Sequence, residues 1–376
     1  MLLFRLSNSL AVIAAVAVFV AGIGGCATTP DASPEVRLVW PPPPQQARIR
    51  FVRSIYGEED LQHDTTFSQS LRNFLAGDKP KTTEIVQPMG LAVSDDGQRL
   101  YVTDFAQSSV FVFDFANQHF SRIPRLQRPV GLSLDGQGNL YIVEQEKKGV
   151  SVFDPAGNRI RFITDSSIQR PSGIAIDRQR NRIYVVDSSH TKSMDHSVKI
   201  FSLEGKLIGK LGAGKGAAPD QFMFPTYVAV DDKGNVYVTD TLNSRVQMFD
   251  ADGHYQRSFG KRGNGWGMFD KPKGVALDSF GNLYVADSGW SNVQIFNSKG
   301  EVLLFFGGRG PIPGMLKNPT AVAIDKHNRI YVADYINHRI EQYELVNTAA
   351  ADSFVSATDT QEQNAAGNNE NGTASP

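Results

Sequence analysis

One phrase recurs six times along this chain, and a sequence that repeats itself at a near-fixed period folds as a row or ring of like units. The copies are Pro88-Met89-Gly90-Leu91-Ala92-Val93, Pro129-Val130-Gly131-Leu132-Ser133-Leu134, Pro171-Ser172-Gly173-Ile174-Ala175-Ile176, Pro225-Thr226-Tyr227-Val228-Ala229-Val230, Pro272-Lys273-Gly274-Val275-Ala276-Leu277 and Pro319-Thr320-Ala321-Val322-Ala323-Ile324. Their prolines lie 41, 42, 54, 47 and 47 residues apart. Each is followed 15 or 16 residues later by an acid that ends a Tyr-rich strand: Asp104, Glu144, Asp187, Asp240, Asp287 and Asp334. A third apolar segment follows in every copy, as at 110–113, 246–249 and 340–343, and a weaker fourth in most, as at 301–306. Gly-bearing turns such as Asp96-Gly97 and Lys233-Gly234-Asn235 separate them, which predicts hairpins. Four antiparallel strands per unit predict an all-β, six-bladed β-propeller.

The ring needs closing, because the sixth unit ends with its third strand at Tyr343. Upstream of the first unit, residues 48–55 followed by Gly57 match fourth strands such as 255–259 followed by Gly260, so an N-terminal strand is expected to complete blade six over a domain of 48–346. Composition agrees. With 41% hydrophobic residues and 37 aromatics (23 Phe, 11 Tyr, 3 Trp) the chain can bury a sizeable core, and 34 glycines exceed the roughly 7% norm. A formal net charge of −1 gives no global reason to bind nucleic acid.

Before the repeats, Arg5 precedes an uncharged run from Leu10 to Gly25 that ends Ile23-Gly24-Gly25-Cys26. This resembles the bacterial lipobox, so 1–25 is expected to be a lipoprotein signal peptide, and Cys26 the lipidated residue that ties the protein to a membrane. At 16 residues the apolar run is short of the roughly 20 that span a bilayer. Ala27 in place of Asp resembles the outer-membrane sorting signature, which implies a lipid-anchored protein of the bacterial cell envelope facing the periplasm. Cys26 is the only cysteine, which excludes a disulfide framework within one chain. Residues 26–47, with Pro41-Pro42-Pro43-Pro44, read as a stiff spacer, and 347–376 as a disordered polar tail.

The phrase Pro-x-Gly-aliphatic-Ala-aliphatic, then Tyr-Val-x-Asp, then Asn-x-Arg-aliphatic, resembles the NHL repeat. Asp240-Thr241-Leu242-Asn243-Ser244-Arg245 and Asp334-Tyr335-Ile336-Asn337-His338-Arg339 match it best, whereas blade 2 carries Glu144 for Asp and blade 3 an insertion over 188–197. With the lipobox and spacer, the chain resembles the bacterial six-bladed NHL-repeat lipoproteins.

In such a ring the loops after each second strand and before each first strand open on one face. They supply a candidate binding face of Phe105, Lys147, Lys148, His190, Tyr227, Leu242, Asn243, Arg245, Trp266, Lys273, Trp290, Tyr335, Asn337, His338 and Arg339, an aromatic and basic mixture favoured at interfaces. The six strand-end acids either form a cation ring at the axis or cap their own loops, and capping is expected. Arg245 and Arg339 are open to an ion pair with those acids or to ligand contact. No catalytic residue is assigned: no three histidines share a repeat position, and there is no Gly-rich phosphate loop and no serine elbow. No metal or cofactor is expected. Apolar Phe67, Leu71, Phe74 and Leu75 fall on one helical face, predicting a short helical insert over 66–77.

These features lead to the expectation of a binding or scaffold protein whose partner is an envelope protein or secreted polymer. The alternative is a metal-dependent enzyme resembling the amidating lyases or lactonases, with calcium or zinc at the channel mouth.

Overall fold

A computed structural model of the protein describes residues 38–61, 71–72, 75–77, 84–190 and 192–347. The signal segment, Cys26, the first part of the spacer and the tail from 348 lie outside them. Two strands, β1 (Val39–Trp40) and β2 (Ile49–Ile55), come first. Blade 1 follows as β3 (Pro88–Val93), β4 (Arg99–Asp104), β5 (Ser109–Asp114) and β6 (His119–Ile123). Blade 2 runs from β7 (Pro129–Leu134) to β10 (Arg159–Thr164), and blade 3 from β11 (Pro171–Asp177) to β14 (Leu207–Leu211). Blade 4 runs from β15 (Pro225–Val230) to β18 (Tyr255–Phe259), and blade 5 from β19 (Pro272–Leu277) to β22 (Val302–Gly307). Blade 6 holds β23 (Pro319–Ile324), β24 (Arg329–Asp334) and β25 (Arg339–Leu345). The first strand of each blade packs on the first strand of the next, and β23 returns to β3, so the ring is closed.

The repeated phrase explains how each first strand is built. Proline has no N–H to donate and is tolerated at the first position of a strand. Each phrase-opening proline faces the strand-end acid, as in Pro88↔Asp104 and Pro272↔Asp287, and the ladder then skips before it resumes. The same break follows Pro129, Pro171, Pro225 and Pro319. A bulge of this kind frees a residue from pairing and re-aims it. The third position is small for another reason: a Cβ on Gly90 would lie 2.2 Å from the Val130 carbonyl, and one on Gly131 2.4 Å from that of Ser172. Neighbouring blades therefore approach backbone to backbone at the axis.

The core is divided into six clusters, one at each blade interface. Between blades 5 and 6, for example, Tyr284, Ile295 and Phe306 meet Val322, Ile330 and Tyr343. Middle strands are covered on both faces, so in β24 Ile330, Tyr331, Val332 and Ala333 are all 0% exposed.

β2 completes blade 6 as expected, pairing with β25 from Ile49↔Leu345 to Ile55↔Ile340. Ile49, Phe51 and Ile55 are buried along this seam, each contributing roughly 1.5–3 kcal/mol. The sheet also extends beyond the sequence expectation. β1 pairs with β2 through Val39↔Arg50 and Trp40↔Ile49, and Trp40 packs edge-on against Tyr343 at 5.7 Å. Residues assigned to the spacer thus belong to a five-stranded blade 6, because Trp40 has an aromatic surface to bury there. Of the segment expected as a helical insert over 66–77, the described part shows Leu71 packed against the blade 5–6 cluster and Leu75 74% exposed.

Candidate functional site at the channel mouth

The face that carries the inter-blade loops and the second-to-third-strand loops is called the top. The bulged second position of each phrase falls at this end of the channel, which gives Met89, Val130, Ser172, Thr226, Lys273 and Thr320. The hydroxyls are spent internally. Ser172 Oγ donates to the Thr226 carbonyl at 2.9 Å, Thr320 Oγ1 to that of Pro88 at 3.0 Å, and Thr226 Oγ1 lies 2.7 Å from Thr241 Oγ1. Lys273 differs, since its Nζ makes a 3.4 Å contact to Asn318 Oδ1 and no ion pair with any described carboxylate. A cavity of about 280 Å³ opens here, lined by Met89, Phe105, Lys273, Asn318, Thr320 and Tyr335. Burial pushes the Lys273 ammonium below the usual lysine range; Lys271 adds to this and Asp287 partly opposes it.

The strand-end acids are fully buried, and their oxygens are taken up by the loops. Asp104 accepts the N–H groups of Val86, Gln87 and Gln107 at 2.6, 3.0 and 3.0 Å. Asp187 accepts those of Gln169, Arg170 and Ser189, and Asp287 those of Asp270, Lys271 and Gly289, all between 2.7 and 3.0 Å. Glu144 accepts Gln127 N–H at 2.7 Å and pairs with Lys147 at 2.8 Å. Asp240 and Asp334 follow the same plan through Met223 and Lys317, at 2.6 and 2.8 Å. Each acid thereby ties the loop entering its blade to the loop leaving its second strand.

This bonding removes several residues from the candidate face. Arg245 pairs with Asp240 at 2.8 Å and donates to the carbonyls of Ala218 and Gln221. Asn243 and Asn337 donate to Asp240 and Asp334 and to the carbonyls of Gly216 and Gly310. Arg339, only 2% exposed, contacts Glu341 at 2.6 Å, the Tyr56 hydroxyl, and the carbonyls of Pro311, Ile312 and Met315. Glu341 in turn accepts Ser54 Oγ at 2.6 Å. Arg339 therefore joins the seam to the loop before blade 6 and is out of a ligand's reach. Burial pushes Glu341 up to about 7, against the pull of Arg339, and Asp334 up to about 6.

Other candidates do line the top. Phe105, Lys273 and Tyr335 share the mouth cavity. Trp266, Trp290 and Leu242 stand on the rim at 66%, 42% and 44% exposure, Trp266 edge-on to Phe305 and Trp290 Nε1 donating to the Gly263 carbonyl at 2.8 Å. Lys148, His190 and His338 are exposed, and His338 Nδ1 contacts the Val86 carbonyl. Met89, Asn318 and Thr320 were missed. For Met89 and Thr320 the sequence signal is that the second phrase position varies in chemistry from copy to copy while the proline before it does not; Asn318, ahead of Pro319, carries no such signal.

Tyr227 is a correction of another kind, since it lies inside the channel rather than on an outer loop. It occupies the third phrase position, where four of the other copies have glycine and the fifth alanine. From blade 4 its hydroxyl reaches the Met89 carbonyl on blade 1, across the ring. Below it, a cavity of about 360 Å³ is lined by later residues of all six first strands, with Asp95, Arg178 and Lys326 among its walls. Asp95 there binds Arg178 and Lys326, both at 2.7 Å, and links blades 1, 3 and 6. Despite partial burial, these two cations hold the Asp95 carboxyl below its ordinary range. Tyr227 thus spans the channel at the level of Met89, which is in the wall of the top cavity.

Comparison with known proteins agrees with this architecture. The NHL-repeat profile matches 222–249 and 316–343, in blades 4 and 6, and a profile described as an SMP-30/gluconolactonase/LRE-like region matches 78–189. The brain tumor protein of Drosophila melanogaster is 27% identical over 138 residues, which cover 35% of this chain and 12% of that protein. Among solved structures, a Bacteroides thetaiotaomicron protein superposes with a TM-score of 0.57 at 16% identity, covering 70% of each chain. A gluconolactonase from Xanthomonas campestris gives 0.54 at 16%, covering 69% of this chain and 86% of its own. Virginiamycin B lyase from Staphylococcus aureus gives 0.51 at 14%, covering 70% and 97%. At these identities the likeness is one of fold. The fold and its mouth define a closed six-bladed β-propeller with a cavity at its top. More narrowly, the chain is a β-propeller that carries NHL repeats at 222–249 and 316–343.

Proposed function

We propose that this protein is a binding module of the bacterial cell envelope, held at a membrane through lipidated Cys26 and presenting the top face of its propeller to a protein or polymer partner. The observation that carries this reading is how top-end polar groups are used. All six strand-end acids are committed to holding loops, while the mouth and rim offer Phe105, Tyr335, Trp266, Trp290 and an unpaired Lys273. A closed ring presents these side chains in fixed geometry, so little ordering entropy is lost on binding. β1 is the outermost strand of blade 6, with β23 at the axis, so a tether attached to β1 joins the propeller at its outer edge and leaves the channel mouth clear.

The enzyme reading draws support from the SMP-30/gluconolactonase-like match over blades 1 and 2 and the first two strands of blade 3. It requires ligands that converge on the mouth. Among the described residues, the three that come within metal-ligand reach of one another are Asp250, Asp252 and His254, on an exposed bottom turn before β18. Two measurements separate the readings. Native mass spectrometry before and after chelation is expected to show no stoichiometric ion, and one tightly held ion per chain overturns the binding reading. A photo-cross-linker at Trp290 is expected to capture a partner in native envelopes where one at Asp252 does not.

A further inference from the structure

We propose that the top cavity is a site for a small organic anion, whose carboxylate or phosphate group pairs with Lys273 while its apolar part lies against Met89, Phe105 and Tyr335. This rests on the reading of the top face as the binding face and names the ligand class of its central cavity.

The argument begins with the bulge. Six side chains are delivered to the mouth by the same backbone device, and Lys273 is the one that carries a charge. Two of the three hydroxyls beside it are already satisfied by the carbonyls of the following blade. The nearest acid on its own blade, Asp287, has both oxygens committed to backbone N–H groups. A half-buried ammonium with a single long contact to an amide oxygen has lost part of its hydration without gaining a counter-charge. An anion from solution supplies it. The bottom cavity makes the contrast, since there the cations Arg178 and Lys326 already share Asp95.

The remaining walls define the rest of the ligand. Asn318 accepts from Lys273 through Oδ1, which leaves its amino group as a donor, and the Tyr335 hydroxyl has no bond to another described residue. Met89 and the two rings offer apolar surface. At about 280 Å³, with Tyr227 crossing the channel to the carbonyl of Met89 in its wall, the space is at the small end of the ligand-site range. It suits a compact molecule or a terminal group, since a threaded polymer would need an exit.

The test is calorimetric titration of the full-length protein with benzoate, phenyl phosphate and benzyl alcohol, which share a ring and differ in charge. At least one anion is expected to bind about tenfold or more tightly than the alcohol, and Lys273→Met and Lys273→Gln are both expected to lose about tenfold or more in affinity for it. Two variants of different polarity guard against a folding defect in one. Benzoate alone binding assigns the carboxylate, and phenyl phosphate alone the phosphate. Failure of both anions to bind, equal binding of the alcohol, or unchanged affinity in the two variants overturns the proposal. If cross-linking at Trp290 persists in that case, the anion site alone is lost; if it fails as well, the top-face reading goes with it.

Discussion

The two ends of the channel are built from the same six strands, yet they treat charge in opposite ways. At the bottom, Asp95 meets two cations at 2.7 Å, and its carboxyl is held below the ordinary range. At the top, burial dominates: it raises Asp334 and Glu341 and lowers Lys273. The difference is geometric. The bottom loops are short Asx-type turns whose long side chains reach across the opening, so opposite charges find each other in a partly solvated setting. The top carries long inter-blade loops that cover the strand ends and must be tied down by buried acids. One end is neutralised by its own residues, and the other keeps a cation in reserve.

The largest expected effect comes from removing the divider between these ends. Tyr227→Gly restores the residue found at the same place in most other blades, and is expected to open the channel between the top and the bottom. Loss of a channel-filling ring and its hydrogen bond to Met89 is expected to cost about 3 kcal/mol, read by urea denaturation. Next comes the pH dependence of the top. Glu341 rises from an ordinary 4.5 to about 7 in the folded protein, so the folded state holds its proton more tightly. Stability is then fully present below about pH 4.5 and lost as pH rises toward 7, by on the order of 3 kcal/mol. Glu341→Gln is expected to flatten this slope, followed by thermal melts from pH 4 to 8.

The bottom clasp should matter less. Its side chains are 37% to 71% exposed, and Asp95→Asn is expected to cost no more than about 1 kcal/mol, diminishing with added salt. With a lowered carboxyl pKa, its contribution has the reverse sign: it is present above the ordinary carboxylate range and lost on acidification. The smallest effect on stability is expected from Lys273→Met, a gain of up to about 1 kcal/mol as the burial cost of an unpaired ammonium is relieved. A loss in its melting temperature would mean that Lys273 is a structural group after all, and the contrast between the two ends would collapse.

The ring was legible in the sequence because each blade states its turns and strands in the same order, and even the closing strand at 48–55 could be matched to its counterparts. The site was legible only in part. Phe105, Lys273 and Tyr335 could be assigned to the mouth from loop position, since any residue there must face the opening. Whether an arginine at the same end turns inward is decided by partners far away in the chain: Arg339 is held by Tyr56, which directly follows the strand that closes the ring. The Asp95–Arg178–Lys326 clasp was hidden for the same reason, because its members become neighbours only once six blades have met. Tyr227 was visible as a break in the phrase, but the diameter it spans is a property of the closed ring.

β1 has a mechanical consequence. Because β2 begins where β25 ends, tension on the N-terminal side would unzip β2 from β25 rung by rung, beginning at Ile49↔Leu345. The buried Arg339–Glu341 pair sits toward the far end of that zipper and would be loaded late. Before any rung of the seam is reached, however, the pull must strip Val39 and Trp40 from β2 and lift the indole off Tyr343. Those two residues act as a strain relief, taking up a tug on the cable before it reaches the connector.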